Sequence, residues 1–138
     1  AVWEHHNQRP MEYPPARYKT PVMMTPDNFG WVDVVEGVRR KPLGTFTERQ
    51  TRAEMLQIDA GSVCVVPDEN AFRLIYALGG KGTAGGREWT ERTAISLDPG
   101  ESAEIVAGEA ADFIMFVLPV LQGRGASMKV GNGLQAVA

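Results

Sequence analysis

One cysteine, Cys64, and two histidines, His5 and His6, are all that the sequence holds of thiol and imidazole side chains, the usual sulfur and nitrogen ligands of zinc and iron. A single cysteine leaves no internal disulfide, which suits a reducing compartment, and a cytoplasmic location is expected. Cys64 sits inside the apolar run Val63-Cys64-Val65-Val66. A buried structural thiol is expected there, because a nucleophilic thiolate needs an electropositive and accessible setting. His5 and His6 are adjacent, so in a strand they point to opposite faces, and a surface pair is expected rather than a metal site.

No stretch approaches the roughly 18 uninterrupted apolar residues of a membrane-spanning helix. The first residues lack the order of basic, apolar and small residues that marks a secretion leader. No long stretch keeps a helical period, which excludes a helical bundle. Excess positive charge is missing too, since 14 Lys and Arg stand against 17 Asp and Glu, a net charge of -3. Nucleic-acid binders show a basic face, so neither nucleic acid nor membrane is expected as a partner. Arg39-Arg40-Lys41 is the one basic cluster, and such runs ordinarily face water in a loop.

What is present reads as strands. With 43% apolar residues, the 138-residue chain has enough for one domain with its own core. Pro10, Pro14, Pro15, Pro21 and Pro26 break residues 1–30 into an extended arm or linker. The folded body is expected over 31–121, and a flexible tail rich in Gly, Ser, Ala and Gln over 122–138. Within the body, strands are predicted at 31–35, 41–46, 52–59, 63–66, 72–78, 87–90, 93–97, 102–106 and 112–118. In the third, Leu56 and Ile58 share one face, and Met55 and Gln57 the other. The Gly-rich stretch 79–86 lacks the spacing of a phosphate-cradling loop and reads as a plain hairpin connection. Many short strands separated by Gly or Pro point to an all-β sandwich or small barrel.

Residues 61–80 organise the rest: two apolar runs, 63–66 and 72–78, flank the polar corner Pro67-Asp68-Glu69-Asn70. The corner brings a carboxylate, Glu69, near a guanidinium, Arg73, and no imidazole.

The chain resembles the cupin superfamily at these residues. The cupin signature runs Gly, five residues, His-x-His, three or four residues, Glu, six residues, Gly, and then Gly, five residues, Pro-x-Gly, two residues, His, three residues, Asn. Gly61 and Gly80 keep the first interval, with Pro67 and Glu69 at the histidine positions and Arg73 at the glutamate. Counted from Gly100, Val106-Ala107-Gly108 stands for Pro-x-Gly, Ala111 for the last histidine and Met115 for the asparagine. Leu43-Gly44-Thr45-Phe46-Thr47-Glu48-Arg49 with Ala60-Gly61 is similar to the branch typified by the cupin domain of ChrR-type anti-sigma factors. Arg17-Tyr18-Lys19-Thr20-Pro21 is similar to a linker in two-cupin members of that branch.

The resemblance implies a cupin-type double-stranded β-helix, a jelly-roll barrel with an extended proline-rich N-terminal arm. Its metal-ligand positions are replaced, so neither a metal nor another cofactor is expected. What it implies instead is a metal-free organic pocket. Glu69 and Arg73 are the candidate catalytic pair, or else an ion pair filling the old ligand space. Met55, Ile75, Phe113 and Met115 are expected on the inward face, as substrate contacts or core. Gln57, Trp89, Glu91 and Asp112 are the further polar or rim candidates. Three functions are open: a metal-independent cyclase or isomerase of secondary metabolism acting on an apolar or polyketide-like molecule, a non-catalytic binding or sensing domain, or the structural half of a two-cupin protein. A homodimer is expected on the same resemblance, with the arm of residues 1–30 as the element to cross over.

Overall fold

A computed structural model of the chain describes Pro10, residues 18–46 and 50–120, and the backbone of Gln135–Val137. Eleven strands follow in chain order: β1 (Val32–Val35), β2 (Val38–Phe46), β3 (Thr51–Ile58), β4 (Val63–Val66), β5 (Ala71–Gly79), β6 (Lys81–Ala84), β7 (Arg87–Thr90), β8 (Ala94–Leu97), β9 (Ala103–Ala107), β10 (Ala111–Pro119) and β11 (Gln135–Val137). They form two antiparallel sheets, a seven-stranded one in the order β1-β2-β3-β10-β5-β8-β11 and a four-stranded one in the order β4-β9-β6-β7. No helix among the described residues is long and apolar enough to cross a membrane.

Period-two patterning decides which side of each strand is buried. β9 alternates strictly, with Ala103, Ile105 and Ala107 buried and Glu104 and Val106 exposed. β5 and β10 run side by side with Arg73, Ile75 and Ala77 paired to Val117, Met115 and Phe113 on the inward face. The inward faces of both sheets share one core that includes Leu56, Ile58, Cys64, Val66, Ile75, Trp89, Ile95, Leu97, Ile105 and Phe113. Trp89 packs edge-on against Phe113 with ring centroids 4.8 Å apart. It lies opposite Gly82 in the β6–β7 pair. A β-carbon at Gly82 would collide with the Val106 carbonyl oxygen and lie 3.0 Å from Trp89 Cζ2, so only glycine lets the indole and β9 approach this closely.

Several sequence expectations are corrected here. The Gly-rich stretch holds a strand of its own, β6, and the tight turn is confined to Gly85-Gly86, both at positive φ. Arg39-Arg40-Lys41 is no loop but part of β2. Lys41 is buried on the outer face, where its Nζ donates to the Pro26 carbonyl at 2.9 Å and lies 4.8 Å from the Trp31 ring centroid. The segment before β1 therefore lies against its own chain at that point. Gln135–Val137, in the stretch expected to be a flexible tail, pairs with β8 as an edge strand. The predicted arm residues up to Arg17, apart from Pro10, include His5 and His6 and lie outside the described residues.

Candidate functional site

Four rows of inward side chains step across β3, β10 and β5, and they grow more polar toward one end. Ile58 pairs with Ala111, then Leu56 with Phe113 and Ala77, then Glu54 with Met115 and Ile75, and last Arg52 with Val117 and Arg73. The polar end is closed by two loops: the Pro67–Asn70 corner between β4 and β5, and the Asp98–Ser102 turn between β8 and β9. Gly100 N donates to the Glu69 carbonyl at 2.9 Å, which ties the loops to each other.

Arg73 ties them from below. It is only 2% exposed. Its Nη1 donates to the Pro67 carbonyl, and its Nη2 to the Glu101 carbonyl and, at 3.2 Å, to that of Asp98. The Arg73 Nε is buried without a hydrogen-bond partner among the described residues. Glu69 is thus not the ion-pair partner of Arg73. It takes both Nη1 and Nη2 of Arg52, at 2.9 and 3.0 Å, in a fork at the rim. The expected Glu69–Arg73 pair fails because Arg73 sits on the inward face of β5, where loop carbonyls are nearer than the corner carboxylate. The hydrogen bond from Glu69 holds the Arg52 guanidinium above its ordinary pKa; burial opposes this, and the charges of Glu69 and Glu54 add to it.

Beside this fork lies a looser ion pair that sequence reasoning missed. Glu54 follows Arg52 on the inward face of β3, and Arg40 Nη1 approaches its Oε2 at 3.6 Å. The signal was present: the alternation that placed Leu56 and Ile58 on one face also places Arg52 and Glu54 there.

The remaining candidates divide by side. Ile75, Phe113 and Met115 face the interior and are buried. Met55 does not join them, because it pairs with Lys41 and Ile114 on the outer face; Gln57 is on that face as well, beside Arg39 and Asp112. Trp89, expected at the rim, is 2% exposed in the core near the opposite end of the rows. Its Nε1 has no hydrogen-bond partner among the described residues. Glu91 is exposed in the turn after β7, 3.4 Å from Arg92.

Cys64 is buried on β4, and burial followed by the negative charge of Glu54 pushes its thiol from 9.0 up to about 11. A raised folded-state value means that the folded protein keeps the proton while the unfolded chain loses it. Stability should therefore fall as pH rises from about 9 to about 11, and the fall should be absent in Cys64→Ala. Denaturant melts at stepped pH check this, and a wild-type profile as flat as that of the variant would contradict it.

Two antiparallel sheets in this order, closed at one end by the loops that Arg73 holds, match solved structures of one fold. The chain is a cupin by fold. It superposes on an RmlC-like cupin from Shewanella frigidimarina with a TM-score of 0.63 at 16% identity, over 75% of this chain and 95% of that one. Ectoine synthase from P. lautus gives 0.61 at 16% identity, over 86% of this chain and 91% of that one. The complex of Rhodobacter sphaeroides SigE with the anti-sigma ChrR gives 0.57 at 17% identity, over 66% of this chain and 50% of that one. No family model matches the sequence, and the curated proteins contain no significant match.

The cupin register corrects one assignment made on sequence. Counted from Arg92, a left-handed residue with φ 66 where the signature has its glycine, the second half reads Asp98-Pro99-Gly100, with Ala103 at the histidine and Ala107 at the asparagine. Ala103 pairs with Val66, next to Pro67, and its turn supplies two of the carbonyls bound by Arg73. Ala111, the histidine position in the count from Gly100, lies at the far end of the rows on β10, whereas Ala103 lies on β9 beside the polar corner. The cupin metal position in this chain is surrounded by Pro67, Glu69, Arg73 and Ala103. One carboxylate already bound to Arg52, a guanidinium and two apolar side chains do not fit a first-row metal. Among the described residues no three His, Cys, Asp or Glu lie where they could hold a metal ion.

Proposed function

We propose that this cupin binds an apolar or polyketide-like small molecule without a metal and acts on it as a cyclase or isomerase. The observation that carries the proposal is the content of the polar end. Every signature ligand position has lost its ligand, yet Glu69, Arg52, Glu54 and Arg40 gather beside the apolar Met115 and Ile75. Acid–base chemistry on a substrate whose body lies against apolar side chains needs no more than that. Metal analysis of protein prepared without chelators should find well below one iron, nickel, manganese or zinc per chain. A stoichiometric metal would end the metal-free reading.

The second reading is a non-catalytic binding or sensing domain, favoured by the superposition on the ChrR cupin. An enzyme forms product and loses it in folded variants of the polar end, whereas a binder loses affinity and forms no product in any variant.

The active form we propose is a homodimer. Outward from β5 and β10 point Phe72, Leu74, Tyr76, Ile114, Phe116 and Leu118 without a charge among them, and Leu74, Phe116 and Leu118 are 41%, 37% and 40% exposed. This strip is two strands wide, with Asp112 at its far end on β10, and suits packing against its own copy about a two-fold axis, sheet on sheet. Light scattering should return twice the chain mass for the wild type and the chain mass for Leu74→Asp/Phe116→Asp. A monomeric wild type would remove the dimer.

A further inference from the structure

Glu54 is 9% exposed, yet it has poor company for a carboxylate so deeply placed. Its one ion pair among the described residues is with Arg40 at 3.6 Å, beyond hydrogen-bond length, whereas Glu69 in the more open position holds a two-point fork at 2.9 and 3.0 Å. The Glu54 oxygens are not among the buried polar atoms left without a partner, so the hydrogen bonds that the described residues do not give them are open to water or a ligand. Arg40, half exposed, has this single ion pair on its guanidinium among the described residues. The pair thus offers an acceptor short of donors next to a cation with N–H groups to give. On either side of Glu54 stand Met115 from β10 and Pro42 from β2, and the charge of Glu54 also reaches Arg52 and Cys64.

We propose that Glu54 is the catalytic base of this cupin and Arg40 its oxyanion partner, for an enolisable carbonyl compound with an apolar body. This rests on the metal-free cyclase or isomerase reading and transfers the proton-taking role from Glu69, which stays bound to Arg52. Glu54 takes a proton from the carbon next to the carbonyl. The C–H electron pair becomes the C=C bond of an enolate, and the former C=O pair moves onto oxygen, where Arg40 N–H groups hold it. In a conjugated substrate Glu54 returns the proton at the far end of the system, which completes a double-bond shift. No atom is gained or lost and no oxidant is needed. The guanidinium of Arg40 keeps its charge throughout.

Benzoylacetone, a neutral enolisable diketone with a phenyl body, is the probe. Calorimetry follows binding, and proton NMR in deuterium oxide follows exchange at its central carbon. The wild type should bind it and speed the exchange above the buffer rate. Glu54→Gln should drop exchange to background, Arg40→Met should weaken binding about tenfold or more, and exposed Glu104→Gln on β9 should change neither. Glu54→Asp, which keeps the charge but withdraws the carboxylate, controls for folding and should fold while exchanging more slowly. Wild-type-like exchange in a folded Glu54→Gln would overturn the assignment of Glu54 and leave the metal-free reading standing. No binding and no exchange by the wild type would overturn both.

Discussion

Arg73→Met should cost about 3–5 kcal/mol of stability, the range for breaking a buried charged group away from its partners. In a domain of about this size that lowers the melting temperature by roughly 15 °C or more. The change removes the three hydrogen bonds that Arg73 gives to the Pro67, Asp98 and Glu101 carbonyls and leaves the Gly100–Glu69 backbone bond to hold the two loops together. Arg73→Lys should fall between the two, because an ammonium keeps the charge but lacks the planar fork that reaches separate carbonyls at once. Thermal melts followed by circular dichroism make the measurement. If Arg73→Met melted like the wild type, the three hydrogen bonds would carry no net stability and the guanidinium would be available to a ligand.

Trp89→Ala should be of similar size, about 3–5 kcal/mol by the usual cost of removing a buried aromatic ring. The indole fills the space between Gly82 and Phe113. A rim residue would instead change stability by no more than about 0.5 kcal/mol, so the same denaturant titration separates the core position from the expected one. Trp89→Phe should recover a good part of the loss, because it keeps an aromatic partner for Phe113.

Both predictions concern residues that sequence reasoning placed in the binding site. Strand alternation counted from the signature's register put Ile75, Phe113 and Met115 on the inward face, and there they do face the interior. It did not say which end of a strand is the polar one, and Trp89 fell at the wrong end for that reason. Met55 was placed inward although its own strand showed Leu56 and Ile58 on the other face. Trust in a distant motif register overrode a local period of two. The same reliance displaced the second half of the signature. Arg92 takes the left-handed turn that the signature gives to glycine, so a search for glycines finds Gly100 instead.

By itself the sequence determined an all-β chain of short alternating strands, a cupin framework and the loss of the metal ligands. Each of these follows from side chains near one another along the chain. Only the tertiary structure decided that Glu69 belongs to Arg52, that Arg73 belongs to the loops, and that Glu54 lies nearly buried beside Arg40. Those pairings join β3 to the β4–β5 corner, β5 to the β8–β9 turn and β3 to β2. Which charges meet across sheets depends on strand order and register, and no local pattern carries that information.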